Sequence, residues 1–244
     1  AATPRGRVRI SVGIAFGQRW VLPALPALAA AYPELSIDVD LDNRAVDLVA
    51  EGYDIGVRGG VVRDSNLVAR RVCRLPVALL ASPADLARAG VPAAPADLAG
   101  HRCAAVRLAG SISPWRFVRD GGRRQAFMPQ PQLTTNDPQA LMQFALTDGG
   151  IVQSGLQHAL PHLRAGELKL VLPGRHDPGT REVVLHYPHR QHMAPRVRVV
   201  VDGLLAHLAQ AEDLQLSVAA VAKAHPAWVA TPPAARTRRV SAAR

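Results

Sequence analysis

The feature that most constrains the fold is an alternation of short strand-like and helix-like segments in the first 60 residues. Three runs have the β-branched or alternating apolar pattern of strands, at residues 8–14, 35–41 and 54–58. Apolar residues recur at helical spacing between residues 22 and 29, and residues 45–50 are predicted as a short helix with Val46 and Val49 facing inward. This β-α-β-α-β order predicts a mainly parallel sheet with crossover helices.

The rest of the chain repeats this alternation of strands and helices, which predicts a second α/β unit. Further strands are predicted at residues 104–108, 115–118, 151–153, 167–172 and 182–187. Further helices are predicted at residues 83–89, 139–147, 156–164 and 197–209. The chain is expected to cross between the units near residues 75–80 and to return near residues 181–187. Two such crossings form a hinge, and a cleft between hinged α/β lobes is a preferred place for a small ligand.

The charge balance favours anionic partners. The chain has 29 Lys and Arg against 19 Asp and Glu, a formal net charge of +10. Such a balance suits nucleic acid or small anions. The basic residues are mostly scattered Arg without a dense stripe of interleaved aromatics, so compositional bias is favoured over a nucleic-acid surface.

The two cysteines and the hydropathy pattern exclude several further classes. Cys73 and Cys103 cannot form a disulfide framework or a full zinc site, so buried, reduced thiols are expected and no metal is predicted. No run of 18 apolar residues occurs, which predicts no membrane span. No apolar signal core precedes the first strand, and a cytoplasmic location is therefore predicted.

No arrangement of residues predicts catalysis. Ser154 lies in GIVQSG rather than in a GxSxG nucleophile elbow. No HExxH, GxGxxG or GxxxxGK[ST] pattern occurs. His186 and His189 flank a strand-to-turn segment, where a packing or solvated role is favoured over metal binding. The sequence therefore predicts a binding protein without catalytic residues or a cofactor, rather than an enzyme.

Several motifs resemble one known family when they are taken in order. The first segment, residues 7–35, reads RVRISVGIAFGQRWVLPALPALAAAYPEL, with a strand, a Phe-Gly turn, LPALPAL and a closing Tyr-Pro. Residues 46–65 read VDLVAEGYDIGVRGGVVRDS, residues 135–141 read TNDPQAL, and residues 164–172 read RAGELKLVL. Over about residues 5–210, the order of these motifs resembles the C-terminal effector-binding domain of LysR-type transcriptional regulators.

The resemblance implies an α/β fold of two Rossmann-like subdomains joined by two crossover strands, like the type 2 periplasmic binding proteins. Subdomain I is expected to comprise residues 5–78 plus 182–210, and subdomain II residues 79–181. Residues 211–244 are expected to form a flexible tail. Whole regulators of the family begin with a winged helix-turn-helix and a linker helix, which are expected to be absent from this chain. A second departure is the Gln-Ser pair at residues 153–154, where the family often has Leu-Pro.

Ligand contacts are expected where strands end and helices begin, because free backbone N–H groups and the helix dipole favour anions there. Gly17 is also expected to let a ligand approach the backbone closely. This placement and the resemblance together predict the following ligand-binding residues: Gly13, Ile14, Ala15, Phe16, Gly17, Gln18, Asn43, Arg58, Gly59, Arg107, Thr135, Asn136, Asp137 and Ser154.

Some of these residues have alternative roles that the sequence leaves open. Phe16 is equally well explained as a core or lobe-interface aromatic. Arg58 could pair a ligand carboxylate bidentately or form a salt bridge to Asp54, Asp64 or another surface acid. The pair at residues 136–137 could simply cap a helix.

The function implied by the resemblance is that of an effector-sensing domain of a LysR-family transcriptional regulator. It would bind a small anionic or aromatic metabolite between the lobes to control transcription. A homodimer is expected, or a tetramer in a full-length regulator, with DNA bound only through the missing winged helix-turn-helix. The alternative is a free-standing small-solute-binding protein of the same fold. An enzyme on this fold is a third hypothesis, which no set of residues supports.

Overall fold

The computed structural model describes residues 3–60, 66–108, 110–119, 121–179, 181–189 and 193–232. Its strands, in chain order, are β1 (Gly6–Val12), β2 (Leu35–Leu41), β3 (Ile55–Gly59), β4 (Leu67–Arg74), β5 (Val77–Ala81), β6 (Cys103–Leu108), β7 (Ser111–Ile112), β8 (Trp115–Val118), β9 (Arg124–Phe127), β10 (Leu133–Thr135), β11 (Ile151–Gly155), β12 (Lys169–Val171) and β13 (Glu182–Pro188).

The α-helices are α1 (Ile14–Phe16), α2 (Leu25–Ala31), α3 (Pro83–Ala89), α4 (Pro138–Leu146), α5 (Leu156–Arg164), α6 (Pro195–Ala209) and α7 (Val218–Ala224). A π-helical turn (Gly17–Val21) and a 3-10 turn (Leu22–Ala24) join α1 to α2, and other 3-10 turns lie at Pro95–Gly100, Glu212–Gln215 and Pro226–Trp228. Among these helices, none combines the length and the apolar character that a membrane span requires.

The strands form two separate main sheets, which define two lobes. The first sheet has the order β2-β1-β3-β13-β4 and the second β10-β6-β11-β5-β12, with β7 paired to β6. In the first sheet β1 is parallel to β2 and β3, whereas β13 is antiparallel to both β3 and β4. In the second, β6 is parallel to β10 and β11, whereas β5 is antiparallel to β11 and β12. The expected parallel arrangement therefore holds for three strands of each sheet, and the crossing strands add antiparallel pairs.

The helical segment after β1 packs on the first sheet through its apolar residues. Trp20, Val21 and Leu28 are buried there against β1 and α6. Pro23 lies in the first turn of the 3-10 stretch and Pro26 in the first turn of α2, the positions where helices best tolerate a missing backbone N–H. The prolines therefore mark the change of helix type along one continuous segment.

The predicted helix at residues 45–50 is wrong, because residues 45–47 are irregular and residues 48–52 form turns. The Asp47 carboxylate accepts hydrogen bonds from the backbone N–H groups of Val49 and Ala50, at 3.0 and 2.9 Å. Such a side-chain bond offers the backbone an alternative to helix. Leu48 is the residue buried here, whereas Val49 is 61% exposed.

Each lobe has its own apolar core. The first core lies between the first sheet, the helical segment at residues 14–31 and α6. The second lobe buries both faces of its sheet, one beneath α4 and α5 and the other beneath α3 and the β8–β9 hairpin. The predicted buried thiols are confirmed, and burial raises the pKa of Cys73 to about 11 and that of Cys103 to about 12.

The chain passes between the lobes at Leu75 and Pro76 and returns before β13. The Leu75 N–H donates to the Arg181 carbonyl at 2.7 Å, so the two crossings are bonded to each other. Val77 and Ala78, which were expected in subdomain I, begin β5 and so belong to the second sheet. The passage therefore falls slightly earlier in the chain than residue 78.

The segment at residues 211–232, expected to be flexible, forms a third connection between the lobes. Leu214 is buried in the first core and Val221 in the second. Asp213 accepts hydrogen bonds at 2.9 Å from Arg19 of the first lobe and from Arg164 of the second. These contacts are made by short helices, which are too brief to show helical periodicity in the sequence. The rest of the expected tail, from residue 233, lies outside the described residues.

Candidate ligand-binding cleft

A cavity of about 390 Å³ lies between the two lobes. Both walls come from strand ends, as expected for sheets whose parallel strands stop at the same edge. The residues that line it are Gly13, Ala15, Phe16, Asn43, Val57, Arg58, Gly59, Gly60, Leu75, Val77, Val106, Asn136, Pro138, Gln153, Ser154, Gly155, His158, Arg181 and Val183.

The first-lobe wall is held together by hydrogen bonds among the ends of β1, β2 and β3. The Gly13 N–H donates to the Val57 carbonyl at 3.3 Å, and the Ile14 N–H donates to Asn43 Oδ1 at 3.1 Å. Arg58 donates to the Ser11 hydroxyl at 2.7 Å and to the backbone carbonyl of Asp42. The guanidinium is therefore held at the wall by neutral oxygens.

These contacts bear on whether Arg58 forms a salt bridge within the protein. Asp54 is not its partner, since the Asp54 carboxylate accepts from the Arg9 N–H at 3.0 Å. Asp64 lies outside the described residues. Burial lowers the pKa of Arg58, opposed chiefly by the negative charge of Asp42. The guanidinium remains the first-lobe cation of the cavity.

The second-lobe wall contains the Gln-Ser pair that departs from the family pattern. Gln153 Oε1 lies 3.0 Å from His176 Nε2. Ser154 is buried, with 4% of its surface exposed, and its hydroxyl has no hydrogen-bond partner among the described residues. An unmatched buried hydroxyl is costly, and because this oxygen has almost no accessible surface, a ligand in the cavity would reach it only after the wall moved.

The charge facing the cavity is positive. Arg58 and Arg181 both line it, and no Asp or Glu does so in the part of the chain that the structure describes. Burial lowers the pKa of Arg181, and the nearby Arg116 charge lowers it further. Burial, aided by the Arg19 charge, lowers the pKa of His158 to about 4, so this imidazole is neutral near pH 7. An anion is the ligand that such a wall favours.

Several predicted site residues meet at this cavity and others do not. Those that line it are Gly13, Ala15, Phe16, Asn43, Arg58, Gly59, Asn136 and Ser154. Those outside it are Ile14, Gly17, Gln18, Arg107, Thr135 and Asp137. The ligand-binding role of the first group stays a prediction.

The residues outside the cavity have other surroundings. Gly17 packs on the first core: a Cβ there would lie 2.5 Å from Leu41 Cδ2. Arg107 is exposed on β6. The Thr135 hydroxyl accepts from the Asp137 N–H at 3.0 Å, and Ile14 reaches the site only through its bond to Asn43.

Two hydrogen bonds join the lobes at the edge of the cleft. Asn43 donates to Asp137 at 3.2 Å, and Gln139 donates to Gln18 at 3.0 Å. Asp137 also caps α4 by accepting from the Gln139 N–H at 3.0 Å. The capping role is therefore confirmed for Asp137, which has a bridging role in addition.

Phe16 combines both of the roles that its position suggested. Its ring packs on Trp20 with centroids 4.9 Å apart, and it also lines the cavity. Trp20 in turn meets His158 of the second lobe edge-on at 5.2 Å. An aromatic contact thus connects the first core to the cavity wall and to the second lobe.

The sequence reasoning missed Arg181 and His158. Arg181 directly precedes the predicted return strand, so its place at the crossing was a usable signal. His158 lies in the first turn of α5, only four residues after Ser154. The missed valines of the wall, such as Val57 and Val183, resemble any buried strand residue in sequence. A metal is not indicated, since the described residues contain no group of three or more potential ligands.

Two α/β lobes, joined by crossing strands and enclosing a cavity at their strand ends, define a bilobed binding protein with the fold of the type 2 periplasmic binding proteins. The family model described as the LysR substrate binding domain matches residues 1–209. The chain belongs to the LysR substrate-binding domain family.

Similar proteins agree with this assignment. An HTH-type transcriptional regulator of Xanthomonas campestris is 34% identical over 208 residues, which cover 84% of this chain and 60% of that protein. The HTH-type transcriptional activator AaeR of Escherichia coli is 28% identical over 215 residues, covering 87% of this chain and 68% of AaeR. The CrgA regulatory domain of Neisseria meningitidis has the same fold, with a TM-score of 0.76 at 24% identity, covering 84% of this chain and all of that domain.

These relatives carry the names of regulators, in accord with the expectation that the chain is not an enzyme. They do not favour the alternative of a free-standing solute-binding protein. The chain spans three fifths of the length of the Xanthomonas relative.

Proposed function

We propose that this chain is the effector-sensing part of a longer LysR-type transcriptional regulator and that it binds a small anion in the cavity between its lobes. The observation that carries the proposal is the pair of arginines, Arg58 and Arg181, on a cavity wall to which no described carboxylate contributes. A ligand anion would neutralise charge that the protein itself leaves unbalanced there.

The ligand would act by favouring one arrangement of the lobes over another. The Asn43–Asp137 and Gln18–Gln139 bonds lie across the cleft, so opening the lobes must break them. An effector that contacts both walls binds the closed arrangement better, and this difference in affinity is what shifts the equilibrium.

The partners of the whole regulator belong to the same proposal. Names such as transcriptional activator, given to relatives that are longer than this chain, support a separate DNA-binding segment. We infer a winged helix-turn-helix for that segment, a homodimer of the sensing domain, and a tetramer of the full-length regulator in the cytoplasm. The cavity lies within one chain, so ligand binding does not require the partner.

The proposal is tested by thermal unfolding with small carboxylates, their neutral amides and the corresponding amines at equal ionic strength. Carboxylates are expected to raise Tm, because a ligand that binds only the folded state stabilises it. Arg58→Gln should remove this increase. Arg107→Gln, the same charge change at an exposed position outside the cavity, should leave it intact.

Two outcomes would contradict the proposal. One is an absence of stabilisation by every anion tested, including sulfate and phosphate. The other is equal stabilisation by carboxylates and by their amides, since the cavity charge would then play no part. Circular dichroism of Arg58→Gln checks that the variant is folded, and Arg181→Gln provides a second cavity variant if it is not.

A further inference from the structure

The two cationic side chains of the cavity come from different places along its wall. Arg58 is in β3, and its backbone partner in β13 is Val184. Arg181 precedes Val184 by three residues, which at the rise of an extended chain corresponds to about 10 Å along the strand direction. The two cations therefore enter the cavity from separate positions rather than as one cluster.

Arg58 lacks a carboxylate partner in the described part of the chain. Its bonds go to the Ser11 hydroxyl and to a backbone carbonyl, and its Nε is buried without a partner. Asp42, the acid whose charge acts most strongly on Arg58, has its carboxylate 2.6 Å from Arg44 Nε. The Arg58 charge is consequently held in place but poorly neutralised.

The Arg181 side chain has fewer protein partners than that of Arg58. Its side chain forms no hydrogen bond or ion pair with any residue that the structure describes. Glu182, the adjacent acid, pairs instead with Arg71 at 3.3 Å. Arg181 is only partly exposed, so water neutralises its charge incompletely.

The wall that accompanies these cations is mostly apolar. Its apolar residues are Phe16, Val57, Leu75, Val77, Val106 and Val183. On the second-lobe side, the exposed residue Asn136 adds an amide to this wall. Such a wall suits a hydrocarbon segment with a charged group at each end.

We propose that the ligand is a small dicarboxylate with a hydrocarbon spacer, one carboxylate bound by Arg58 and the other by Arg181. This inference rests on the proposed function and narrows it. A monocarboxylate would leave one partly buried cation without a counter-charge, and a zwitterion would add a cation to a wall that already holds two. The valines pack against the spacer.

Isothermal titration calorimetry tests the inference with three matched pairs of probes. The diacids are succinate, glutarate and adipate, and the monoacids are butyrate, pentanoate and hexanoate. At equal ionic strength, at least one diacid is expected to bind roughly tenfold more tightly than its monoacid, the size of one charged hydrogen bond in a partly buried site.

Three variants locate the second carboxylate. Arg181→Gln is expected to abolish the preference for the diacid while changing the monoacid affinity little. Arg58→Gln should weaken both members of the pair. Arg107→Gln removes the same charge from an exposed position outside the cavity and should preserve the diacid preference.

The outcomes separate this inference from the proposed function. Equal binding of diacids and monoacids, or a diacid preference that survives in Arg181→Gln, overturns the dicarboxylate assignment and leaves an anion sensor in place. Binding of sulfate or phosphate without any carboxylate does the same. Failure of every anion to bind overturns both.

Discussion

Gly17 lies where the helical segment after β1 meets the first sheet, and its lack of a side chain makes that contact possible. The sequence suggested that this glycine lets a ligand approach the backbone. In the structure its Cα faces Leu41 and Val12 in the first core instead. Its backbone φ of −58° is one that any residue adopts, so the requirement for glycine comes from packing.

Substituting Gly17 with Ala should therefore destabilise the protein without abolishing the fold. The new Cβ would lie 2.5 Å from Leu41 Cδ2 and 2.8 Å from Val12 Cγ1, so the helical segment must shift. Overpacking of this kind costs about 1–3 kcal/mol in the free energy of unfolding. Urea unfolding followed by circular dichroism measures it.

Gly100→Ala is the matched control, because Gly100 is exposed and a Cβ there would meet no atom within 4 Å. Its free energy of unfolding should stay close to that of the wild type. If Gly17→Ala were equally harmless, the contact between the helical segment and β2 would be looser than the structure shows.

At the start of α4, a single residue, Asp137, both caps its own helix and bonds to the other lobe. Asp137 Oδ1 accepts from the Gln139 N–H at 3.0 Å and from Asn43 of the other lobe at 3.2 Å. The first bond satisfies an otherwise free N–H of the helix, and the second crosses the cleft. Substitution can separate the two effects.

Asp137→Ala should lower the free energy of unfolding by about 1 kcal/mol through loss of the cap. Asp137→Ser, which keeps a good capping oxygen on a shorter side chain, should restore most of that loss although it no longer reaches Asn43. Thermal and urea unfolding provide the measurement. If Ser proved as damaging as Ala, the bond across the cleft, rather than the cap, would be the stabilising contact.

Elements whose signals are local were predictable. The strand at Leu35–Leu41 and the helix at Pro83–Ala89 were predicted with the bounds they have, since strict alternation marks one and Ser82 caps the other. Residues 45–50 show the limit of this reasoning: their apolar spacing suits a helix, but the Asp47 side chain bonds the backbone into turns.

The candidate site was predictable only in part, because some of its residues are placed by contacts that are distant in sequence. Gly13, Ala15, Phe16 and Asn43 lie at or just beyond the ends of strands that the pattern identified, so their place at a sheet edge could be inferred. Arg181 and His158 reach the cavity because the return crossing and α5 fold back onto it, which depends on long-range packing. A single sequence carries little sign of such contacts.

At the scale of the whole molecule, three chain segments hold the two lobes together. Two are the bonded crossings at Leu75 and Arg181, and the third is the segment after α6 that reaches the second lobe. Burial opposes ionisation of Asp213, yet hydrogen bonds from Arg164 and Arg19, together with their charges, hold its pKa below the ordinary value. This carboxylate thereby ties one helical residue of each lobe to the third connection.

The protein should lose stability as the pH falls from about 6.5 to about 4. Burial first of all lowers the pKa of both His158 and His176 to about 4, against about 6.5 in an unfolded chain. Between these values the unfolded state binds more protons, so the free energy of unfolding decreases as the solution is acidified. Urea unfolding at a series of pH values measures the slope.

His158→Gln should flatten this slope, because the buried imidazole between the lobes is then gone. An identical slope in His158→Gln and in the wild type would mean that His158 protonates freely in the folded protein.

The position of β13 has a consequence for synthesis on the ribosome. This strand inserts between β3 and β4, which are made more than a hundred residues earlier in the chain. Until it emerges, β4 has no sheet neighbour and the first lobe cannot close. The second lobe, by contrast, has all the strands of its sheet before residue 182 is added, so its sheet can pair early, although its core is completed only when Val221 arrives.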